Sequence, residues 1–206
     1  PNRVLYARNS AAFMEILRRY SDTVEQYSID EAFADMTGTE GLFGSPIEAA
    51  HRLKDEIRDT LGFTVNVGIS SNKLLAKMAG DFEKPDKVHT LFPDEIQEKL
   101  WPLPVGELFS VGGASEQKLK RLGIMTIGDL AQADLGTLQP TLKKHGEAIW
   151  NYANGRDFSL VEAERADNKG YGNSVTLSYD VTRAEEAKQV LLSLAETVGR
   201  RLRRDG

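Results

Sequence analysis

Asp30 and Glu31 are adjacent carboxylates inside the run Tyr27-Ser28-Ile29-Asp30-Glu31-Ala32-Phe33, with apolar residues on both sides. Hard oxygen donors placed this way suit a hard divalent cation such as Mg²⁺, which prefers oxygen ligands and keeps several waters. Such an ion can hold substrate phosphates and lower the pKa of a nucleophile. An arbitrary Asp-Glu pair is ordinarily an exposed acidic turn; the apolar residues pressed on both sides set this pair apart. Lys73, Lys77 and Lys84 lie on or after one helical stretch. A lysine beside a metal-carboxylate site can grip a triphosphate as a point charge. The plainer reading of Lys77 is a solvated helix face, whereas Lys84 follows the helix and abuts Pro85.

A second candidate runs from Leu108 to Leu119 and reads as helix, tight turn at Gly112-Gly113, helix. Such a hairpin points backbone N–H groups outward at a helix N-terminus, where a DNA phosphate can dock without any base being read. Lys118, Lys120 and Arg121 follow directly, and Thr126-Ile127-Gly128-Asp129-Leu130 extends the stretch into a compact helical unit. Spacing alone fits a plain αα-hairpin equally well. His51, His89 and His145 are scattered, and no pair of them has metal-ligand spacing. Trp101, Trp150 and Tyr152 read as packing residues rather than base-stacking platforms. Zero cysteines exclude a disulfide framework, a thiolate zinc site and a cysteine nucleophile. No Gly-rich nucleotide loop and no Ser-His-Asp set is present.

Elements must position these residues. Ser10 is expected to cap a helix whose apolar face is Phe13, Met14, Leu17 and Tyr20, ending near Ser21-Asp22. Val24–Tyr27 and Ala32–Met36 read as two strands with Asp30 and Glu31 near their junction. Ser45-Pro46-Ile47-Glu48 is a capping box with Pro at the first helical position, and Gly62 stops that helix. Residues 63–69 read as a strand, Asn72-Lys73 opens another helix, and Val88–Leu91 is a short strand. The order α-β-β-α-β-α-β predicts an α+β domain with helices over a mostly antiparallel sheet. Trp101-Pro102-Leu103-Pro104 reads as a boundary, after which residues 104–155 are helical in pattern. Residues 173–179 look like a strand and 183–204 like a long amphipathic helix with Ala187, Val190, Leu191, Leu194, Val198 and Leu202 on one face. One strand and one helix bury each other poorly, so this last segment reads as an incomplete domain.

The 206 residues carry a net charge of −5, spread unevenly. Residues 1–102 hold 12 basic and 17 acidic residues, residues 103–206 hold 14 of each, and the end carries Arg200, Arg201, Arg203 and Arg204. Local patches decide phosphate binding better than totals do. No apolar run approaches the ~20 residues a membrane span needs, and no signal peptide opens the chain, so localisation defaults to the cytoplasm. Pro1 opens the chain and the first ten residues read like the middle of a domain, so a fragment cut at both ends is expected.

Taken together these strings resemble the Y-family translesion DNA polymerases, of the DNA polymerase IV and ImpB/MucB/SamB type. Tyr27–Phe33 is similar to that family's catalytic palm motif, and Gly68–Asp81 with Lys84-Pro85 to its second palm motif. Residues 104–123 resemble the helix-hairpin-helix of its thumb, and Lys169–Ser174 the start of its little finger. The resemblance implies an α+β palm over 1–102, an all-α thumb over 103–160, and a linker with an incomplete α/β little finger over 161–206. It implies that Asp30 and Glu31 are catalytic and metal-binding, that Lys84 contacts the incoming triphosphate, and that Ser110, Val111, Gly112 and Gly113, with Lys118 and Lys120, meet DNA. The family usually has glycine where Ser110 stands. Two Mg²⁺ ions, primer-template DNA and dNTP are implied, together with a sliding-clamp contact through a segment outside these residues and no membrane partner. The family's first catalytic aspartate, its steric-gate aromatic and its fingers have no counterpart here, so the chain alone is expected to be inactive while the parent copies past damaged bases. A non-catalytic DNA-binding relative on the same scaffold stays open as the alternative; a stand-alone helix-hairpin-helix module leaves residues 1–100 unexplained.

Overall fold

The computed structural model describes residues 2–163 and 170–205 and divides into two units, Pro1–Glu164 and Arg165–Gly206. Lys169, in the string likened to the start of the little finger, lies outside the described residues. The first unit opens with α1 (Arg3–Leu17), then β1 (Val24–Gln26), β2 (Ala32–Ala34), a short α2 (Glu40–Phe43), α3 (Pro46–Leu61), β3 (Val67–Ile69), α4 (Lys73–Gly80) and β4 (Val88–Thr90). Further α-helices among the described residues are α5 (Gly113–Arg121), α6 (Ile127–Ala131), α7 (Leu135–Leu142), α8 (Lys144–Ala153) and, in the second unit, α9 (Ala184–Asp205).

Capping chemistry sets the ends of α3 and α4. Ser45 accepts from the Glu48 N–H while the Glu48 side chain takes the Ser45 N–H, a reciprocal box on a Pro-led first turn. Gly62 ends α3 in the left-handed region at φ 76°. The Asn72 side chain accepts from the Leu75 N–H and starts α4 where the sequence predicts it. Ser10, by contrast, is no cap. Asn2 caps α1 by accepting from the Leu5 N–H, and Ser10 is buried mid-helix, its hydroxyl accepting from Gln26 Nε2 at 3.1 Å. A serine with a tertiary donor to satisfy it sits inside a helix without competing for the backbone.

The mostly antiparallel sheet is also corrected: the described strands form two separate pairs. β1 and β2 are an antiparallel hairpin, whereas β3 and β4 run parallel. β3 and β4 are joined through α4, and a helical crossover returns the chain in the parallel sense. Residues 63–66 fall outside β3, and Phe63 and Val65 pack on the core formed by α1, α3 and β1. Gly68 seats α4 on β3: a side-chain carbon at that position would overlap the Ala76 carbonyl and the Gly80 nitrogen.

A second core runs from α4 through Leu91, just after β4, into the helices beyond, with Leu75, Leu91, Leu100, Val105, Leu119 and Ile149 all fully buried. It passes through Trp101–Pro104 without a break, and Trp101 donates its indole N–H to the Ala153 carbonyl at 3.1 Å. The expected first helix of the glycine hairpin is a single 3₁₀ turn, Val105–Glu107, because Leu108 is extended and Ser110 lies at φ 72°. In the second unit α9 forms as read, but residues 173–179 are not a strand. A strand needs a neighbour for its ladder, and the described residues of that unit offer none.

Candidate active site

The β1–β2 hairpin presents the two carboxylates. Its register pairs Glu25 with Phe33 and Gln26 with Ala32, and the Tyr27 and Ser28 N–H groups both donate to the Glu31 carbonyl at 3.0 Å. That closes a tight turn with Asp30 exposed at its tip and Glu31 half-buried at its exit. The Ser28 hydroxyl donates to Asp30 Oδ1 at 2.7 Å. The Tyr27 ring stands edge-on to Phe33, 5.5 Å away, and 6.3 Å from Phe109, so aromatic packing steadies the base of the turn.

Helix α4 supplies the cations. Lys77 donates to Glu31 and, at 3.1 Å, to Asp81 Oδ2, while Lys84 meets Asp81 Oδ1 at 2.8 Å. Glu31, Lys77, Asp81 and Lys84 thus form one line of alternating charge from the hairpin to the loop after α4. Burial alone would lower the Lys77 pKa, but its hydrogen bonds to Glu31 and Asp81 carry it above the ordinary lysine value. Burial likewise pushes Asp81 up, and hydrogen bonds from Lys84 and Lys77 outweigh that and hold it below the ordinary carboxylate range. Lys73 is committed elsewhere: it donates to both Glu25 oxygens at 2.8 and 2.7 Å and lies 5.1 Å from the centroid of Phe33. Lys84, with 60% of its side chain exposed, borders a shallow cleft lined by Met78, Asp81, Phe82, Leu103 and Glu107.

Among the described residues no group of three His, Asp or Glu side chains could hold a metal ion. The hairpin offers two carboxylates, and one or two carboxylates completed by substrate phosphates and water is the donor set Mg²⁺ takes in nucleotide enzymes. Asp30 and Glu31 supply oxygen donors of that chemistry, Asp30 bonded by Ser28 and Glu31 by Lys77.

The glycine turn lies apart from the carboxylates in sequence. Ser110 is exposed at φ 72°, a left-handed conformation that favours glycine. Val111 is buried and anchors the turn, and Gly112 and Gly113 are exposed with open space where side chains would stand. No side chain caps α5 at Gly112, so its first amides face outward. Lys118 is exposed, and Lys120 pairs with Glu116 at 2.7 Å one turn earlier.

The chain is similar to known proteins along most of its length. The impB/mucB/samB family matches residues 1–81 and its C-terminal domain matches 168–206, with the thumb domain of DNA polymerase-iota matching 106–157 between them. The chain belongs to the impB/mucB/samB family. DNA polymerase IV of Clostridium acetobutylicum is 47% identical over 199 residues, which is 96% of this chain and 50% of that protein. A Y-family DNA polymerase chimera superposes with a TM-score of 0.79 at 28% identity, covering 96% of this chain and 58% of the other. The insertion ternary complex of Dbh DNA polymerase superposes at 0.68 and 29% identity, again covering 96% of this chain and 58% of the other. The chain spans about half the length of the curated relatives it matches.

Sequence reading missed three residues around Lys84. Asp81 joins Lys77 to Lys84, and its position four residues after one and three before the other was the available signal. Lys54 is buried among the apolar positions of α3, and a lysine recurring in phase with Ala50, Leu53 and Ile57 was the signal. Asn66 bonds the loop after α4 through three backbone groups, and nothing in its local sequence marks it.

Proposed function

We propose that this chain is part of a DNA-directed DNA polymerase that transfers a nucleotide from dNTP to a primer 3′-hydroxyl and copies past damaged template bases. The observation that carries this reading is the hairpin turn holding Asp30 and Glu31, linked through Lys77 and Asp81 to Lys84. In this reading residues 1–102 are palm, 103–160 thumb, and 161–206 linker and part of a little finger. Asp30 and Glu31 are the residues that would hold Mg²⁺. Two such ions, when bound, lower the pKa of the attacking hydroxyl and offset charge on the departing pyrophosphate. Lys77 holds the Glu31 carboxylate by a hydrogen bond, and Lys84 grips the triphosphate from an exposed loop by exchanging Asp81 for phosphate oxygen. The backbone amides at Gly112 and Gly113, with Lys118 and Lys120, take duplex phosphates without reading bases. Such binding weakens as salt rises. The insertion ternary complex of Dbh DNA polymerase among the structural relatives supports DNA and dNTP as the substrates. No helix among the described residues is long and apolar enough to cross a membrane.

Primer extension by the full-length protein tests the reading. Asp30→Asn and Glu31→Gln keep side-chain size and remove charge, and each is expected to cut extension by roughly a hundredfold or more while circular dichroism stays unchanged. Near-normal extension by either variant would show that the pair is no metal site and would favour a non-catalytic DNA-binding relative.

A further inference from the structure

The loop that carries Lys84 is held from two sides by residues that touch no reacting group. Lys54 lies on the buried face of α3 with 7% of its side chain exposed, and donates to Asp86 Oδ1 at 3.0 Å and Asp55 Oδ1 at 3.1 Å. Arg58 Nη1 comes within 3.6 Å of Asp86 Oδ2. Asp86 itself stands at φ 60°, a region that L-residues hold only where surrounding contacts impose it. From the other side Asn66 Nδ2 donates to the Gly80 carbonyl at 3.1 Å and the Glu83 carbonyl at 3.0 Å, and its Oδ1 accepts from the Lys87 N–H at 3.1 Å.

A buried lysine pays for its desolvation only through good partners, and an apolar side chain on the same stripe is often as stable or more so. α3 nevertheless places lysine there, and its principal bond goes to the residue two beyond Lys84. We propose that Lys54 and Asn66 are positioning residues for nucleotide binding: they fix the backbone from Glu83 to Lys87 so that Lys84 is presented to the triphosphate of the incoming nucleotide. The proposal rests on Lys84 being the triphosphate contact. Lys84 is long and exposed, so its own rotamers are not locked by packing. What the protein can fix beforehand is the point from which the side chain departs, and that backbone is what Asp86 and Asn66 secure.

Single-nucleotide insertion by the full-length protein decides it, with KM for dNTP and kcat measured separately. Lys54→Met is expected to raise KM roughly three- to tenfold and to leave kcat within about twofold, with Lys54→Arg restoring most of the loss. Lys84→Ala is expected to raise KM at least as much, and adding Lys54→Met to it should change nothing further, because the positioned group is gone. An unchanged KM in Lys54→Met, or an equal rise with and without Lys84, would overturn the positioning role while leaving the role of Lys84 intact. An unchanged KM in Lys84→Ala would overturn the underlying assignment of Lys84 and this proposal with it. Should Lys54→Met fail to fold, Asp86→Asn removes the negative charge that Lys54 and Arg58 meet, at constant size, and carries the same expectations.

Discussion

Helices α3 and α9 carry apolar stripes of the same kind, and only one of them buries its stripe. In α3 Ala49, Ala50, Leu53 and Ile57 are all buried, with Ile57 fully so against α1 and β1. In α9 no residue is buried, and Leu191 and Leu202 remain 63% and 50% exposed. The difference does not lie in the helices. α3 has a partner surface assembled from elements before it in the chain, while α9 has only the irregular residues 170–183 among the described part of its unit. An apolar stripe is a demand for burial, and a helix in a protein owes most of its stability to the surface that meets it.

Paired truncations should show this most strongly. Ile57→Ala is expected to cost about 2–5 kcal/mol by emptying a packed site, whereas Leu191→Ala at its exposed position should stay within about 0.5 kcal/mol. Urea denaturation of the 206-residue chain measures both. Equal losses would mean that α9 is packed as α3 is.

Acid sharpens the comparison next. The folded pKa of Asp81 lies below its unfolded value, so its contribution to the first unit is present above the ordinary Asp pKa of about 3.9 and is lost as pH falls through the lower folded value. Asp81→Asn should therefore lower the melting temperature at pH 6 and converge with the parent chain near or below the folded pKa. The side chain is 41% exposed, so screening keeps the effect to about 1 kcal/mol or less. A difference between the two chains that persists unchanged into acid would mean that the charge of Asp81 contributes nothing.

A similarly small effect is expected at Ser110. Its left-handed backbone costs an L-residue about 1–2 kcal/mol, and glycine relieves that strain while adding about 0.4–1 kcal/mol of unfolded-chain freedom. Ser110→Gly should then raise the melting temperature of the first unit by about 1–3 °C. A fall in melting temperature would mean that the serine side chain makes a contact worth more than the strain.

Local chemistry was legible without coordinates. The Ser45 box, the Gly62 stop and the Asn72 cap each depend on residues three or four apart, and all three stand where the sequence places them. Ser10 shows the limit of the same rule: a good capping residue inside a longer helical pattern is no cap when a distant donor, here Gln26, satisfies its hydroxyl. The four strands of the first unit were legible as well, unlike residues 173–179, which form none, but whether β3 meets β4 in parallel or the hairpin's antiparallel pair extends into one sheet depends on where α4 sends the chain.

The same division runs through the candidate site. By itself the sequence determined which residues stand as candidates, because Asp30-Glu31 between apolar strands and a lysine beside a proline are statements about types and near neighbours. It also determined family membership, since that rests on the order of such strings. Only the tertiary structure decided the pairings: Lys73 with Glu25 across 48 positions, Lys77 with Glu31 across 46, Lys54 with Asp86 across 32. Side chains so far apart in sequence meet only after loops close and cores pack, and the cores decide the meeting because apolar burial dominates the folding free energy while each ion pair adds little to it.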